Sequence, residues 1–326
     1  MPAFAKRIVS KPEFGPFVLL LAMVLIFWEL NPAFLSLRNI SNTLAFTVEL
    51  GLIALAMTLL MTSGEFDLSV GSLFGFSPVL MWTLYNTGVA SIEISFAITL
   101  ATALGIGLIS GLFVTRLKIP SFLVTLGMLL VVRGTALYVT NGFPQRTWNA
   151  KDLHLAQLLV GDFTVAGLKL HMSLLWFIAA AVLLGILLTR TMTGNWIQAS
   201  GGNANAARAR GVDVNRTKIK LFMLSAAMAG FAGIISSIRT AAANPNSGTG
   251  YELEVIAMVV IGGTALTGGR GTIVGTVLGI FILRLMRNGI VLIGVPGLAY
   301  NIFIGTIILA MMALHSWLDR RHQEGS

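Results

Sequence analysis

Apolar segments of membrane-spanning length recur along almost the whole chain, and they restrict the fold more than any other feature. A helix needs about 20 apolar residues to cross a bilayer, and ten segments approach that length. They lie near residues 14–34, 43–62, 69–87, 92–114, 120–140, 172–190, 219–238, 252–267, 271–293 and 297–318. Only 11% of the residues are charged, against about 25% in soluble domains. The sequence predicts an all-α integral membrane protein of about ten transmembrane helices, forming one domain over residues 1–326.

Positive charges between these segments indicate the orientation. Most of the 22 Lys and Arg residues lie in tails and loops that would share one side of the membrane: Lys6, Arg7, Lys11, Arg116, Lys118, Arg190, Arg208, Arg210, Arg216, Lys218, Lys220, Arg270, Arg320 and Arg321. The opposite loops hold Arg38, Arg146, Lys151, Lys169 and Arg239. Because cytoplasmic loops carry the excess of Lys and Arg, both termini and the loop 191–218 are predicted to be cytoplasmic, and the loop 141–171 periplasmic.

Several classes of function are excluded by composition and motifs. The net charge of +9 is spread over short loops, so it does not form the continuous basic surface that binds nucleic acid. The chain has no Cys and only four scattered His, which gives neither a disulfide framework nor a recognisable metal site. It also has no Gly-Lys pair, so it contains no P-loop. If ATP drives this protein, another chain must bind it.

The loop 191–218 contains a short segment with helix boundary signals. Ser200 or Asn203 is placed to cap a helix start, and Gly211 is placed to end it. The helix between them would have about two turns, with Ala204, Ala207 and Gly211 on one face of small residues. Helices shorter than about 12–15 residues are marginal in water. The segment is therefore predicted to dock on a partner, or alternatively to be a solvated basic loop.

Two of the predicted spans are interrupted by glycine-rich stretches, at residues 60–71 and 262–271. Non-helical backbone at membrane depth survives only where it is buried in protein or lines a watery cavity. In transporters such interruptions indicate the transport path. The alternative is two tight turns on the inner side.

Charged residues inside spans are expected to be paired or functional. Glu49 and Arg133 lie at similar depths of different spans, and we expect them to form an ion pair. Arg284 is expected to face a polar path, and Arg287 to extend toward the outer surface. Polar residues within or beside spans that suit a hydroxylated solute are Thr135, Asn141, Asn288, Tyr300 and Asn301. Hydrogen bonding between helices is the alternative role for each of them.

Five motifs, in this order, resemble one family of transport proteins. They are SGEFDLSVGS (63–72), IPSFLVTLGMLLVVRGTAL (119–137), GGNANAARARGV (201–212), GYELEVIAMVVIGGTALTGGRGTIVGT (250–276) and NGIVLIGVP (288–296). The family is that of the permease subunits of bacterial ABC importers for ribose, xylose, autoinducer-2 and related monosaccharide-like solutes. The resemblance covers about residues 40–318.

This resemblance implies an architecture, partners and a location in the cell. It implies the type II, vitamin B12-permease-like importer fold in the bacterial inner membrane, with a second permease subunit that is either a copy or a paralogue. A periplasmic sugar-binding protein would deliver the solute. A cytoplasmic ABC ATPase with two fused nucleotide-binding domains would bind ATP and Mg, and this chain would bind no cofactor. The family's ATPase-coupling loop maps onto Gly201, Gly202, Asn203, Ala206, Ala207, Arg208 and Gly211.

One departure from the family pattern bears on the solute. Many relatives have Gly-Gly-Ile-Asp where this chain has Gly64-Glu65-Phe66-Asp67. Asp67 and Ser69 keep the pattern, whereas Glu65 adds a carboxylate at a mouth of the predicted path. The solute is expected to be a pentose, hexose, polyol or sugar-like signal.

Three alternatives differ in what they require of the sequence. Permeases for nucleosides or branched-chain amino acids look similar in the coupling region. An ion-coupled secondary carrier would explain Glu49 and Arg133, but it has no need of a Gly-Gly-Asn docking helix. An intramembrane hydrolase would need a Ser/His or metal constellation, which the sequence lacks.

Overall fold

The computed structural model describes residues 13–147, 153–300, 302–306 and 309. The first half of these residues forms α1 (Phe14–Leu30), α2 (Leu37–Thr62), α3 (Val70–Asn86), α4 (Ile92–Arg116), α5 (Ser121–Thr140) and the short α6 (His154–Val160). The second half forms α7 (Met172–Arg190), α8 (Met192–Gly202), α9 (Ala204–Ala209), α10 (Val214–Thr240), α11 (Tyr251–Ile261) and α12 (Ile273–Leu292). Single 3-10 turns occupy Pro32–Leu35 and Gly297–Ala299, and residues 302–306 are helical.

Four short strands complete the described residues: β1 (Gln145–Arg146), β2 (Asp162–Val165), β3 (Leu168–His171) and β4 (Ala242–Ala243). Strands β2 and β3 form an antiparallel hairpin in which Asp162 is opposite His171. Ala166 and Gly167 form its two-residue loop, and both have positive φ, as type I′ turns require. Strand β1 pairs with β4, with Gln145 opposite Ala243. This pairing ties the loop after α5 to the loop after α10.

The prediction of a helical membrane protein is confirmed, but two predicted spans are shorter than expected. Six helices, α2, α4, α5, α7, α10 and α12, are long and apolar enough to cross a membrane. Helix α1 has 17 residues. The span predicted at 252–267 is the 11-residue α11, because the backbone leaves the helix at Gly262 and Gly263. The final predicted span, 297–318, lies mostly outside the described residues.

Helix α2 is the centre of the bundle. Every residue from Thr47 to Thr62 is buried, and the helix packs against α10, α12, α7 and α11. Helices α4 and α10 pack closely because α4 presents small residues to its neighbour. A Cβ at Gly107 would lie 2.5 Å from the Phe222 carbonyl oxygen, and one at Gly111 would lie 2.9 Å from the Ile219 Cα. Close backbone approach of this kind is typical of helix packing in lipid.

Candidate functional site

The coupling segment folds into two helices joined at one residue. Asn203 ends α8 and caps α9, with its Oδ1 accepting a hydrogen bond from the Ala206 N–H at 3.0 Å. Helix α9 ends at Ala209 with Arg210 as its C-cap, and Gly211 follows with φ +84°, the left-handed conformation that favours glycine. The predicted short helix and both its boundaries are confirmed, with Asn203 rather than Ser200 as its cap.

The small-residue face of α9 is only partly free, because Ala207 is buried, Ala204 is half-buried and Gly211 is exposed. The Ala207 carbonyl accepts the Val212 N–H as the chain folds back toward α10. Asn203, Ala206 and Arg208 are exposed. A partner would therefore meet these side chains, and Ala207 would support the helix from within this chain.

Both glycine-rich stretches meet the end of α8. The Gly269 N–H donates to the Thr62 carbonyl at 2.8 Å, which joins the α11–α12 turn to the end of α2. Gly201 lies between them: a Cβ there would be 2.6 Å from the Gly269 nitrogen and closer still to the Thr62 oxygen. Gly64 contacts the same turn, since a Cβ at Gly268 would be 2.8 Å from the Gly64 Cα. We call Thr62–Gly64, Gly201–Gly202 and Gly268–Gly269 the glycine junction.

Glu65 follows the glycine junction and forms an ion pair. Its Oε1 is 2.5 Å from Lys218 Nζ, and both side chains are 15% exposed. Lys218 belongs to the first turns of α10, at the N-terminal end of that helix. Glu65 therefore links the stretch after α2 to the start of α10, and its carboxylate is already partnered.

Helix α3 begins inside the bundle, after a non-helical stretch at residues 65–69 that follows the glycine junction. The Asp67 side chain is fully buried and accepts hydrogen bonds from the Ser69 N–H at 2.8 Å and the Ser69 hydroxyl at 2.5 Å. The Ser225 hydroxyl of α10 donates to its other oxygen at 3.2 Å. The Asp67 carboxylate thus occupies the N-terminus of α3, where helix N–H groups lack partners.

Helix α11 mirrors this arrangement in the opposite direction. The chain leaves the outer end of α10, runs without helix to Gly250, and then enters α11, which returns to the glycine junction. The Gly250 N–H donates to Glu252 Oε1 at 3.2 Å, so a carboxylate occupies this N-terminus too. The two N-termini meet: a Cβ at Gly71 would overlap both the Gly248 carbonyl oxygen and Glu252 Oε2.

Arg133 of α5 stabilises the contact between the N-terminus of α3 and the stretch before α11. Its guanidinium donates to the carbonyl of Gly71 at 3.0 Å and to that of Ser247 at 2.8 Å, and it also donates to the carbonyl of Pro245. Carbonyl groups outside regular helices need hydrogen-bond donors inside a membrane protein, and Arg133 serves two of them, those of Pro245 and Ser247. Arg133 therefore holds the start of α3 against the stretch before α11.

The predicted ion pair between Glu49 and Arg133 is wrong. Glu49 pairs with Arg239, whose Nη2 lies 2.6 Å and Nε 2.8 Å from Glu49 Oε1. The Arg239 guanidinium also stacks over the Phe46 ring, 4.0 Å from its centroid. Arg239 was expected in an outer loop. It lies instead in the last turn of α10, beside α2, which brings it to Glu49.

A second buried ionic cluster surrounds Glu254. Its Oε1 is 3.3 Å from Arg284 Nη1 and accepts the Tyr300 hydroxyl at 2.8 Å. Arg284 also donates to the Phe46 carbonyl at 3.0 Å. Arg287 lies over the Tyr300 ring, 4.8 Å from its centroid, and 3.9 Å from Glu254 Oε2. Arg284 and Tyr300 are thus bonded within the bundle, and Arg287 turns toward the cluster.

The remaining residues predicted for the path do not converge on one place. Thr135 is exposed and donates to the Val131 carbonyl of its own helix. Asn141 ends α5 in a left-handed conformation. Asn288 exchanges amide hydrogen bonds with Asn39 at 2.8 and 2.9 Å, which is the helix-to-helix alternative. Asn301 lies outside the described residues. Among those residues no cluster of His, Asp and Glu could hold a metal ion.

Residues 39–312 match the protein family described as branched-chain amino acid transport system / permease component. The chain belongs to this permease family. The ribose import permease protein RbsC of Escherichia coli K12 is 35% identical to this permease over 299 residues, 91% of each chain. The Bacillus subtilis protein of the same name is 36% identical over 302 residues, 93% of this permease and 92% of that protein.

A relative from another organism is named for other sugars. The xylose/arabinose import permease protein XylH of Sulfolobus acidocaldarius is 32% identical over 321 residues, 96% of this permease and 87% of that protein. No solved structure matches this permease.

Sequence reasoning missed an internal similarity that the permease structure makes visible. Ser63-Gly-Glu-Phe-Asp-Leu68 precedes α3, and Ser247-Gly-Thr-Gly-Tyr-Glu-Leu253 leads into α11. Each has Ser-Gly followed by an aromatic residue, a carboxylate and Leu, and one extra residue separates the two patterns. Each carboxylate accepts a hydrogen bond at the start of its short helix. The two segments therefore share a local pattern at the start of two helices whose N-termini meet.

Proposed function

We propose that this chain is the membrane-spanning permease of an ATP-driven importer, moving a monosaccharide or similar hydroxylated solute from a periplasmic binding protein into the cytoplasm. The observation that carries the proposal is similarity over about nine-tenths of the chain to permeases named for ribose import. Other relatives are named for xylose or arabinose import, so the proposed solutes include pentoses other than ribose. The location that follows is the bacterial inner membrane, where such a chain crosses the bilayer several times.

The capped half-helices favour a neutral solute over an amino acid. Half-helix N-termini in secondary transporters point at the carboxylate of an anionic substrate. Here the carboxylates of Asp67 and Glu252 lie at the two N-termini and accept the N–H groups of the N-cap residues Ser69 and Gly250, and a second carboxylate would be repelled. This observation weighs against the branched-chain amino acid alternative, although the family description names those solutes.

The proposed architecture has ten crossings and cytoplasmic termini, as in type II importers. The six long helices cross fully, and α1 and a helix containing residues 302–306 add two crossings. Helices α3 and α11 complete the other two together with their non-helical approaches.

The proposed partners are an ATPase that binds ATP and Mg, a second permease subunit and a periplasmic sugar-binding protein. Helix α9 is the proposed ATPase contact. Its exposed side chains include Asn205, Ala206 and Arg208, and the arginine can pair with carboxylates on the ATPase. Gly201 supports this contact from inside, because the glycine junction ties the end of α8 to α2 and α12.

The test is uptake by proteoliposomes that hold the permease with its cognate ATPase, supplied with its cognate binding protein. Radiolabelled ribose, xylose, arabinose and leucine are offered with and without internal ATP. We expect ATP-dependent uptake of at least one sugar and none of leucine. ATP-dependent leucine uptake would refute the sugar assignment. Sugar uptake driven by an ion gradient without ATP would refute the importer class.

A further inference from the structure

Resting on the proposed function, we propose that the stretch 244–250, together with Arg133 of α5, lines the solute path near the middle of the membrane. We call this surface the midplane surface. Its occupant is the neutral hydroxylated solute in water, in contact with backbone and with the side chains of Asn246 and Thr249.

The depth of the midplane surface follows from two helices. Arg133, which bonds the Pro245 and Ser247 carbonyls, is seven residues before the outer end of α5 at Thr140, or about 10 Å at 1.5 Å per residue. Helix α11 has 11 residues between Gly250 and the glycine junction, or about 16 Å. The two lengths together approach the ~30 Å of hydrocarbon. The stretch therefore lies at membrane depth.

Exposure at that depth is the observation that decides what the surface faces. Asn246, Thr249 and Gly250 are exposed in the single chain. Irregular backbone does not face lipid, because its polar groups would lack partners there. The midplane surface must therefore face either water or a second protein surface.

The chemistry of the midplane surface suits a neutral polyhydroxylated solute. Among the described residues, no hydrogen bond engages the side-chain amide of Asn246, so its donors and acceptor are free for hydroxyl groups. The cation nearby is already engaged, because Arg133 donates to three carbonyls. Glu252 accepts the Gly250 N–H with one oxygen, and its other oxygen is buried without a hydrogen-bond partner. A surface with a free amide, a carboxylate and no free cation suits neutral hydroxyl groups better than anions.

The chain's lack of Cys makes accessibility directly measurable. Thr249→Cys is the test variant. Leu183→Cys is its control, because Leu183 is 66% exposed and lies at a similar depth of α7 on an apolar surface. Each variant is reconstituted as the complete importer and treated with a charged thiosulfonate, with and without transported sugar. T249C is expected to react at least about tenfold faster than L183C, because a thiolate forms in water and not in lipid, and sugar should slow it.

Two results would overturn the proposal. Reaction of T249C only with a lipid-soluble maleimide would show that the surface faces lipid. Disulfide formation between T249C residues of two permease copies, without reaction with the charged reagent, would show a subunit interface instead. Asn246→Cys serves as a second probe if T249C assembles poorly. Normal ATP-driven sugar uptake with both thiols inert would defeat only the midplane surface, whereas absence of uptake in the Cys-free importer would defeat the proposed function.

Discussion

Gly201→Ala should disrupt the glycine junction, while Gly202→Ala, one residue later in the same helix, should not. The added Cβ at Gly201 would lie 2.6 Å from the Gly269 nitrogen and nearer to the Thr62 carbonyl oxygen. Real Cβ atoms essentially never approach within 3.0 Å, and both obstructing atoms are backbone. At Gly202 the nearest atom, the Gly269 Cα, is 3.8 Å away, an ordinary contact.

The expected cost for G201A combines two effects. Overpacking a close-packed site costs about 1–3 kcal/mol. Forcing Gly269 away from Thr62 also breaks their 2.8 Å hydrogen bond, worth about 0.5–1.5 kcal/mol. The sum is about 1.5–4.5 kcal/mol. Because the junction links the coupling helices to α2 and α12, we also expect G201A to hydrolyse ATP without proportionate uptake.

The assay compares the two variants in nanodiscs and in the complete importer. Thermal unfolding should show a lower Tm for G201A than for the parent protein, and an unchanged Tm for G202A. The ratio of sugar molecules imported to ATP hydrolysed should fall in G201A alone. If the two variants have the same Tm and the same ratio, the close contact at Gly201 does not exist and the reasoning fails.

Three further outcomes are expected. Glu49→Gln should lower the free energy of unfolding by about 3 kcal/mol, because it leaves the charge of the largely buried Arg239 uncompensated. The double variant E49Q/R239Q should be more stable than E49Q in thermal unfolding. If the losses of the two single variants simply add, Glu49 and Arg239 do not form an ion pair. Asn288→Ala should lower Tm, because it removes one half of the amide pair between Asn39 and Asn288, and it should leave the KM for sugar uptake unchanged. An altered KM would indicate that Asn288 contacts the solute. Partial burial would raise the pKa of Asp162, but hydrogen bonds and charges from its hairpin partners outweigh burial and hold that pKa below its ordinary value. The resulting stabilisation is present above the unfolded pKa near ~3.9 and is lost as pH falls through the folded pKa. D162N should therefore speed hydrogen exchange of the hairpin amides at pH 7 and have little effect near pH 3. The loss of hairpin stability at pH 7 should be less than about 1 kcal/mol, because the Asp162–Lys169 ion pair is exposed.

Local signals predicted the coupling segment well. Asn203 and Gly211 act within a few residues of their own positions, as a side-chain cap and as a left-handed helix end. Such features depend on neighbouring residues alone.

Long-range contacts could not be predicted in the same way. Glu49 and Arg239 are 190 positions apart, and depth along two spans did not reveal which helices pack together. A signal for the second cluster was present: two arginines on α12 require a counter-ion, and Glu252 and Glu254 were the acids on the preceding helix. Which of the two faces Arg284 depends on the rotation of α11, which only the structure gives.

The two glycine-rich stretches were correctly singled out, but their meeting was not foreseen. Gly64 and Gly268 are drawn together by helix packing rather than by any sequence pairing rule. The alternative of turns is seen directly, because both stretches turn at the glycine junction, whereas a role in the transport path stays a prediction.

The most direct test of the account asks whether α9 touches an ATPase on the cytoplasmic side. A photo-crosslinker is attached to Ala206→Cys, at an exposed position, and to Ala207→Cys, at a buried one, in the assembled importer. The account predicts that A206C crosslinks to the ATPase in inside-out vesicles and that A207C does not. Crosslinking of A206C to a periplasmic protein, or to no other chain, would contradict it.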